Sequence, residues 1–486
     1  MADELMNTTR RIAGNAAWLF VGSAISKLIE FAAFVYLARV LAANGFGLFS
    51  LAAAIVAYLL IVIDGGSATL GIREISQNKA LAAKIGLNIY LLRLVLAALV
   101  YFCSAIILLV INITPQLKML LLFTFIILFS RAMTIDWIFQ GLEQMKFVAL
   151  SRVLQQVCFF LLILFMVKSF GDLLLVPLIM VWANVFVAVL LLFIYLKYFS
   201  RFNLVDLEIC GWWPRLVAAF PLGLASMLIL IYYNLDVIML SFMQNMTVVG
   251  WYNAAYKLIF VVIGIIGVFS AAVFPTVCKY FSADKIQAKK FLEKYFRLLI
   301  IWTLPLVVLG FFSADWLIQV IYGSAYLSGS SAFRLLLLTI LLISFSGIYG
   351  TLVLLPAGKN REFMISVGLG ALVNIGLNIW LIPKFSLTGA ALATLLTEIV
   401  VAGSFFFWAR AEISLRLGQY IIKPALAGGV ALVITMVVVN FGAARELNLL
   451  IRAMFSFTVV YSVLIACLGE AGFLWDFVGE ILRIPR

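Results

Sequence analysis

Two arginines stand deep inside long apolar segments of this sequence, Arg93 and Arg131. Each lies about eight or nine residues from one end of its segment, so both would reach a similar depth of roughly 12–14 Å in helical form. Two guanidinium groups cannot neutralise each other, and on a continuous helix Asp136 would face away from Arg131. A diphosphate suits this level because guanidinium forks bind phosphate oxygens in bidentate geometry. If the segments cross a membrane, the alternative is that both side chains extend to lipid headgroups of its inner leaflet.

A lysine and a glutamate occur in the first apolar segment, three residues apart. Lys27 and Glu30 can pair on one helical face, and Ser23 and Ser26 extend that face into a polar stripe. Such a stripe is typical of a helix that lines an aqueous cavity, which makes Lys27 a candidate substrate ligand. The alternative is a structural ion pair that satisfies itself.

Further charges lie in the second half of the chain. Asp236 and Lys257 occupy two successive apolar segments, where a mutual salt bridge is the simplest account of both. The alternative is that Lys257 faces the substrate. Arg297 occupies the place in the second half that Arg93 occupies in the first, and it either binds the same anion or belongs to the membrane interface.

Carboxyl groups within the apolar segments are candidates for ion coupling. Glu398 lies beside Thr394 and Thr397 and has no basic neighbour in sequence. A carboxyl group in a dry site can load and release a proton, so Glu398, Glu30 and Asp236 are candidates for coupling to H⁺ or Na⁺. A protonated, hydrogen-bonded structural glutamate is the alternative for Glu398. We expect no other cofactor, since the five cysteines show no metal-ligand or disulfide spacing.

The segments that must position these charges are membrane helices. Hydrophobic residues make up 66% of the chain and charged residues 11%, and no histidine is present to supply imidazole chemistry. Apolar stretches of roughly 20 residues recur from end to end, which predicts an all-α, polytopic membrane protein. We place about 14 transmembrane helices at 15–40, 46–64, 85–111, 117–139, 147–167, 173–196, 215–242, 248–276, 294–313, 331–355, 363–382, 387–409, 419–440 and 448–469.

The basic residues concentrate in the loops and helix ends on one side of these predicted spans. The positive-inside rule therefore places both termini in the cytoplasm, and the protein in the cytoplasmic membrane. The net charge of +13 reflects this topology, because no soluble basic domain is present to bind nucleic acid. Residues 282–297 and the tail after Glu470 look amphipathic and could lie in the membrane interface. An ordinary solvated loop helix explains residues 282–297 equally well.

An internal repeat relates the two halves of the chain. The hairpin "NGFGLFSLA" around Gly47 aligns with "TVVGWYNAA" around Gly250, and "QGLEQMKF" aligns with "PAGKNREF" further on. Because each copy has an even number of spans, the copies would be related by an axis along the membrane normal. We predict three parts, in chain order: an N-terminal six-helix lobe, a C-terminal six-helix lobe, and two additional helices with an interfacial tail, at 1–200, 201–412 and 413–486.

Several motifs together resemble a known family. "YLARVLAANGFGLFSLA", "GGSATLGIREIS", "FQGLEQMKF", "LVLLPAGKNREFMI" and "SLTGAALATLLTE" are similar to those of polysaccharide exporters of the Wzx type. These belong to the multidrug/oligosaccharidyl-lipid/polysaccharide exporter superfamily. The resemblance implies two pseudo-symmetric lobes around a cationic cavity. It also implies a polyprenyl-diphosphate-linked oligosaccharide as substrate, with membrane lipids and the polymerase and glycosyltransferases of the same pathway as partners.

The leading hypothesis is therefore a flippase that moves an O-antigen or other polysaccharide repeat unit by alternating access. Its predicted substrate ligands are Lys27, Arg93, Arg131, Lys257 and Arg297. A multidrug or other small-molecule antiporter of the same superfamily is the first alternative, although drug cations would favour an acidic or aromatic cavity. A membrane glycosyltransferase or polymerase is the second. Short external loops and the absence of histidine argue against an enzyme, and no P-loop is present for nucleotide hydrolysis.

Overall fold

The computed structural model describes residues 2–440, 446–470 and 472. Within these residues all regular elements are helical, which is the conformation that satisfies every backbone polar group inside a bilayer. The α-helices are α1 Ala2–Asp64, α2 Ser67–Gln77, α3 Ala82–Val110, α4 Pro115–Phe125, α5 Ile127–Ala132, α6 Asp136–Gly141, α7 Met145–Met166, α8 Leu175–Tyr198, α9 Trp212–Met243, α10 Met246–Ala283, α11 Lys285–Phe312, α12 Ala314–Tyr322, α13 Ser330–Gly347, α14 Asn360–Ala409, α15 Gln419–Asn440 and α16 Glu446–Cys467.

Several of these helices, alone or joined end to end, are long and apolar enough to cross a membrane. The described residues contain 9 candidate spans and three shorter apolar helices. Two of the long helices contain one residue with a non-helical backbone, Ala42 in α1 and Ser386 in α14, where two helices meet. The all-α, polytopic membrane fold is confirmed. The count of about fourteen spans stays a prediction.

One predicted interfacial segment is part of a longer helix. Residues 285–297, most of the amphipathic stretch, form the first turns of α11. Phe291, Leu292 and Tyr295 are buried there, because the apolar face packs against protein. The predicted apolar face of the tail after Glu470, from Leu474 onward, lies outside the described residues.

Packing divides the chain into two units, Met1–Asn253 and Ala254–Arg486. The first extends past the predicted repeat boundary at residue 200, because α9 packs against α1 and α2. In the second unit α15 and α16 pack on α11, and the Tyr461 hydroxyl donates to the Ile301 carbonyl at 3.0 Å. The three-part division of the sequence stays a prediction.

The two hairpins of the internal repeat touch each other through glycines in the first unit. A Cβ atom built on Gly47 would lie 1.9 Å from the Met246 carbonyl oxygen. A Cβ atom on Gly250 would lie 1.9 Å from the carbonyl oxygen of Ala43. In the alignment of the hairpins Gly47 corresponds to Gly250 and Ala43 to Met246, so the two contacts are the same contact made twice. Such an exchange of partners is what a local two-fold axis between two equivalent elements produces.

The connection from α8 to α9, residues 199–211, is held by one fully buried amide. The Asn88 side-chain nitrogen donates to the carbonyl oxygens of Lys84 and Asp206, both at 2.9 Å. Its oxygen accepts from the Glu208 backbone at 2.8 Å and from the Trp212 indole at 3.2 Å. Lys84 also forms a salt bridge with Glu208 at 2.6 Å. The hydrogen bond that Lys84 donates lowers the pKa of the Glu208 carboxyl. We call this arrangement the Asn88 clasp.

Candidate functional site

The chain is interrupted between α1 and α2, where the second apolar segment ends. Helix α1 ends at Asp64, and Gly65 and Gly66 follow with φ angles of 49° and 84°. Glycine adopts these left-handed conformations without a steric penalty, so the doublet breaks the helix before α2 begins at Ser67. Helix α2 then packs against α3, α6 and α9. Asp64 therefore lies at the end of α1, where the predicted second span also ends, and directly before the break.

The fourth apolar segment is interrupted as well. Helix α5 ends at Ala132 and α6 begins at Asp136, with residues 133–135 between them outside any helix. Arg131 lies in the last turn of α5, and Asp136 lies in the first turn of α6, where a carboxylate is favoured by the helix dipole. Interrupted membrane helices are typical of substrate and ion sites in transporters.

Arg93 is the most enclosed cation at these breaks, with an exposed fraction of 9%. One of its terminal nitrogens lies 3.6 Å from the Asp64 carboxylate. That separation is an ion pair but is longer than a charge-assisted hydrogen bond. Its Nε atom is buried and has no hydrogen-bond partner within the described part of the chain. The guanidinium group therefore retains an unused donor at Nε.

Arg131 lies at the centre of a wider group of charges. It is half-buried and stands within electrostatic range of the carboxylates of Asp136 and Glu30 and of the cations Arg93 and Arg152. The expectation that an anion is missing at this level was wrong in two respects. Asp64 pairs with Arg93, and Asp136 interacts with Arg131 because the break invalidates the continuous-helix geometry. The first unit thus contains a mixed cluster of charges.

The predicted pair in the first segment does not form. Lys27 is exposed and Glu30 is half-buried, and no ion pair joins them among the residues that the structure describes. The Ser23 hydroxyl instead accepts a hydrogen bond from Arg152 at 3.4 Å. Ser26 is buried and donates to the Ser23 carbonyl. Glu30 therefore belongs to the charge cluster around Arg131, and Lys27 does not share its carboxylate.

Asp236 is fully buried in α9. Its carboxylate accepts a hydrogen bond from the Tyr252 hydroxyl at 2.8 Å. Lys257, half-buried in α10, is the partner that the sequence analysis predicted for it. That salt bridge stays a prediction, as does the role of Asp236 in ion coupling.

Arg297 has a carboxylate partner that the sequence analysis did not identify. It forms an ion pair with Glu470, which is 3% exposed and lies three residues beyond the end of α16. Lys423 of α15 also approaches Glu470, at 3.6 Å, and donates to the Leu468 carbonyl at 3.1 Å. These contacts connect the last two helices to α11, which is a structural task. The role of Arg297 in substrate binding stays a prediction.

The ion pair at the end of α16 leads to a test of that structural task. Replacing Glu470 with Gln keeps its size and removes the charge shared by Arg297 and Lys423. We expect a loss of about 1–2 kcal/mol, less than for a fully buried pair because Lys423 reaches solvent. Hydrogen exchange along the end of α16 should accelerate. Asp315→Asn, which removes the exposed partner of Arg334, is the control, and equal exchange in both variants would contradict the prediction.

Glu398 lies in a buried polar stretch of α14. It is 3% exposed, and Thr394 and Thr397 beside it are buried. On the first half of α14 the Asn378 amide donates to the Asn374 side chain at 2.9 Å, and both are fully buried. A buried polar stretch of this kind is expensive in a membrane protein and suits a functional role. Ion coupling through Glu398 stays a prediction.

The second unit departs from α-helical geometry at the place that the repeat aligns with the break at residues 133–135. Residues Ile348–Leu354 form a π-helix directly before "PAGKNREF", as the break at residues 133–135 precedes "QGLEQMKF". π-helical turns are rare and frequently lie at functional sites. The same unit also holds an apolar cavity of about 610 Å³, lined by α10–α13 and α16 and including Trp302, Phe457 and Tyr461.

Sequence reasoning missed the partners at the breaks, above all Asp64 and Ser67. The available signal was the Gly65-Gly66 doublet inside an apolar run, since adjacent glycines interrupt helices. Asp64 is the last residue of the predicted second span, at 46–64, and was not singled out as a partner for an arginine. The distance between Asp64 and Arg93 along the chain gave no indication that they pair.

Long apolar helices with breaks, and buried charges at those breaks, are typical of polytopic membrane transporters. Its fold is similar to that of the lipid II flippase MurJ in an inward closed conformation, with a TM-score of 0.74 and 15% identity over 93% of this chain and 98% of that chain. It is also similar to an inward-facing multidrug resistance MATE family transporter of the MOP superfamily, with a TM-score of 0.65 and 15% identity over 81% of this chain and 95% of that chain.

Sequence comparison identifies the family. The model of the polysaccharide biosynthesis protein family matches residues 12–281, and the chain belongs to this family. A curated relative from Escherichia coli (strain K12), named "Putative O-antigen transporter", is 24% identical over 413 residues, which are 83% of this chain and 98% of the relative. The resemblance that the motifs indicated is confirmed for family and fold.

Proposed function

We propose that this protein is a flippase for a polyprenyl-diphosphate-linked oligosaccharide, such as an O-antigen or other polysaccharide repeat unit. Family membership and the name of the curated relative support a polysaccharide cargo. The phosphate-binding part of the proposal is supported by Arg93, which is nine-tenths buried beside the break at Asp64 and whose Nε atom has no hydrogen-bond partner in the described residues. Arg131 lies within electrostatic range of it. Together they offer a diphosphate two cationic partners.

The mechanism that we propose is alternating access without covalent chemistry. The diphosphate and sugars would bind beside the charge cluster of the first unit, while the lipid chain stays in an apolar environment. The apolar cavity in the second unit supports a cargo with a lipid part. The distribution of basic residues supports a cytoplasmic membrane location with both termini inside. Coupling to H⁺ or Na⁺ through Glu30, Asp236 or Glu398 is part of the proposal.

A reconstitution experiment tests this function. Liposomes carrying the protein are loaded with a fluorescent polyprenyl-diphosphate-linked oligosaccharide, and its transfer between leaflets is measured. We expect Arg93→Ala and Arg131→Ala each to slow transfer at least tenfold, since one charge-assisted hydrogen bond to the diphosphate contributes about 1.5–3 kcal/mol to its binding. Lys118→Ala, which removes a cation in the first turn of α4 away from the breaks, is the matched control and should transfer normally.

Three outcomes would contradict the proposal. Normal transfer by the double variant Arg93→Ala/Arg131→Ala would show that these two arginines do not bind the diphosphate. Transport of an organic cation, unaffected by the same variants, would favour the multidrug antiporter of the same fold. A change in the mass of the oligosaccharide during the assay would favour a glycosyltransferase or polymerase.

A further inference from the structure

The break between α1 and α2 contains polar groups whose hydrogen bonding is incomplete. The Ser67 hydroxyl, 3% exposed at the start of α2, has no hydrogen-bond partner in the described residues. The Nε atom of Arg93 is also buried and has no hydrogen-bond partner in the described residues. Buried polar groups in folded proteins are nearly always hydrogen-bonded. Two incomplete groups at one break therefore indicate a place where another molecule binds.

Asp64 makes two contacts at this break. One of its carboxylate oxygens accepts from the Ala68 backbone at 3.3 Å, which caps α2, and the same oxygen lies 3.6 Å from Arg93. Both distances are longer than a charge-assisted hydrogen bond. The Asp64 side chain is 35% exposed, whereas that of Arg93 is 11% exposed. The carboxylate can therefore turn towards solvent while the guanidinium group stays in place.

The backbone around the break is fixed by a close contact. A Cβ atom built on Gly223 of α9 would lie 2.7 Å from the Gly65 carbonyl carbon, so the two chains touch there. Because α9 supports the break from one side, a change of ligand at Arg93 need not disturb the helix ends. The positive end of α2, which the Asp64 carboxylate caps through the Ala68 backbone, can accept another anion in place of that carboxylate.

We propose that this break is a phosphate-binding site in which Asp64 is an exchangeable counter-ion: one phosphate of the cargo displaces Asp64 from Arg93 and also binds the Ser67 hydroxyl. A phosphate fits better than a second carboxylate, because its three oxygens can serve the guanidinium fork and the hydroxyl together. The inference rests on the proposed function and names the group that must leave when the cargo binds.

The exchange has a consequence for transport. In the empty protein Asp64 offsets the cost of a buried guanidinium group, which would otherwise lack a counter-charge. In the loaded protein Asp64 competes with the phosphate for Arg93, and this competition weakens binding and accelerates release. Removing the competitor should therefore tighten binding and slow turnover, the opposite of what loss of a ligand does.

The test measures binding and transfer separately, with the full chain in phosphatidylcholine nanodiscs or liposomes. The binding probes are farnesyl diphosphate and inorganic pyrophosphate. We expect Asp64→Asn to bind both about tenfold more tightly, because asparagine keeps the cap on α2 and lacks the charge. Its transfer of lipid-linked oligosaccharide should be slower. Arg93→Ala and Ser67→Ala should each bind about tenfold more weakly.

A double variant separates counter-ion exchange from a structural effect. Asp64→Asn/Arg93→Ala should bind as weakly as Arg93→Ala alone, since Asp64 acts only through Arg93. Glu74→Gln, on the same helix α2 and outside the break, is the control and should bind like the wild type. Repeating the measurement with anionic phospholipid in the bilayer distinguishes sources of phosphate. If that lipid competes with the probe, the site is open to bilayer headgroups. If it does not compete, the site is restricted to the diphosphate. In both cases Asp64 is the counter-ion that the phosphate displaces.

The inference and the proposed function fail in different ways. Unchanged or weaker binding by Asp64→Asn would overturn the exchange, as would an additive double variant. Wild-type protein that binds farnesyl diphosphate as expected but never transfers oligosaccharide would overturn the flippase and leave the exchange standing. Normal transfer by the wild-type protein, combined with unchanged binding by Asp64→Asn, would overturn the exchange and leave the flippase standing.

Discussion

Replacing Gly47 with alanine should lower the folding stability of this protein by about 3 kcal/mol, and Gly250→Ala should do the same. Each new methyl group would lie 1.9 Å from a backbone carbonyl oxygen of the other hairpin. No rotamer can relieve such a contact, because both the methyl group and the carbonyl belong to rigid helices. The two hairpins must move apart, and their packing around the contact is lost.

The two glycine variants should not be additive. Once the hairpins have separated to admit one methyl group, the second costs little, because both contacts lie at one crossing. The double variant should therefore be about as unstable as either single variant. Thermal unfolding in detergent and the yield of monodisperse protein measure this effect.

A glycine elsewhere in the same helix provides the control. A Cβ atom built on Gly267 of α10 would have no neighbouring atom within 4 Å. Gly267→Ala should leave stability unchanged or raise it slightly, since alanine is the better helix former. If Gly47→Ala and Gly267→Ala unfolded at the same temperature, the close contact between hairpins would not exist as described.

The second large effect concerns the Asn88 clasp. Asn88→Ala removes four hydrogen bonds and leaves the Glu208 backbone and Trp212 indole without an acceptor from that side chain. Each lost bond costs about 1 kcal/mol, so we expect a loss of roughly 3–4 kcal/mol and release of residues 199–211 from α3. Asn88→Asp should also be harmful, because its second oxygen would face the carbonyls of Lys84 and Asp206.

Hydrogen exchange across residues 203–212 measures the release directly. Asn203 provides a control of the same type in the same connection, since within the described part of the chain its side chain accepts one hydrogen bond, from the Val205 backbone at 3.1 Å. Asn203→Ala should cost about 1 kcal/mol or less and leave the rest of the connection protected. Equal exchange in Asn203→Ala and Asn88→Ala would mean that no clasp holds the connection.

The helices of this protein follow from local sequence. The predicted spans at 419–440 and 85–111 agree closely with α15 Gln419–Asn440 and α3 Ala82–Val110. Hydropathy determines such bounds, because a bilayer requires each apolar stretch to satisfy its own backbone. The alignment of Gly47 with Gly250 likewise indicated a repeat, and the structure adds the reciprocal contact that explains why both positions are glycine.

Which charges meet was decided by tertiary structure alone. Asp64 and Arg93 pair because a glycine doublet interrupts one helix and α3 passes beside the break. Arg297 meets Glu470 because the last two helices pack on α11. An ion pair between distant segments leaves no periodic signal in a sequence, since either partner alone has the composition of any intramembrane charge. Hydropathy and turn residues therefore determined the helices of this protein, and the packing of broken helices determined that Arg93 is buried beside Asp64 with an unused donor at Nε.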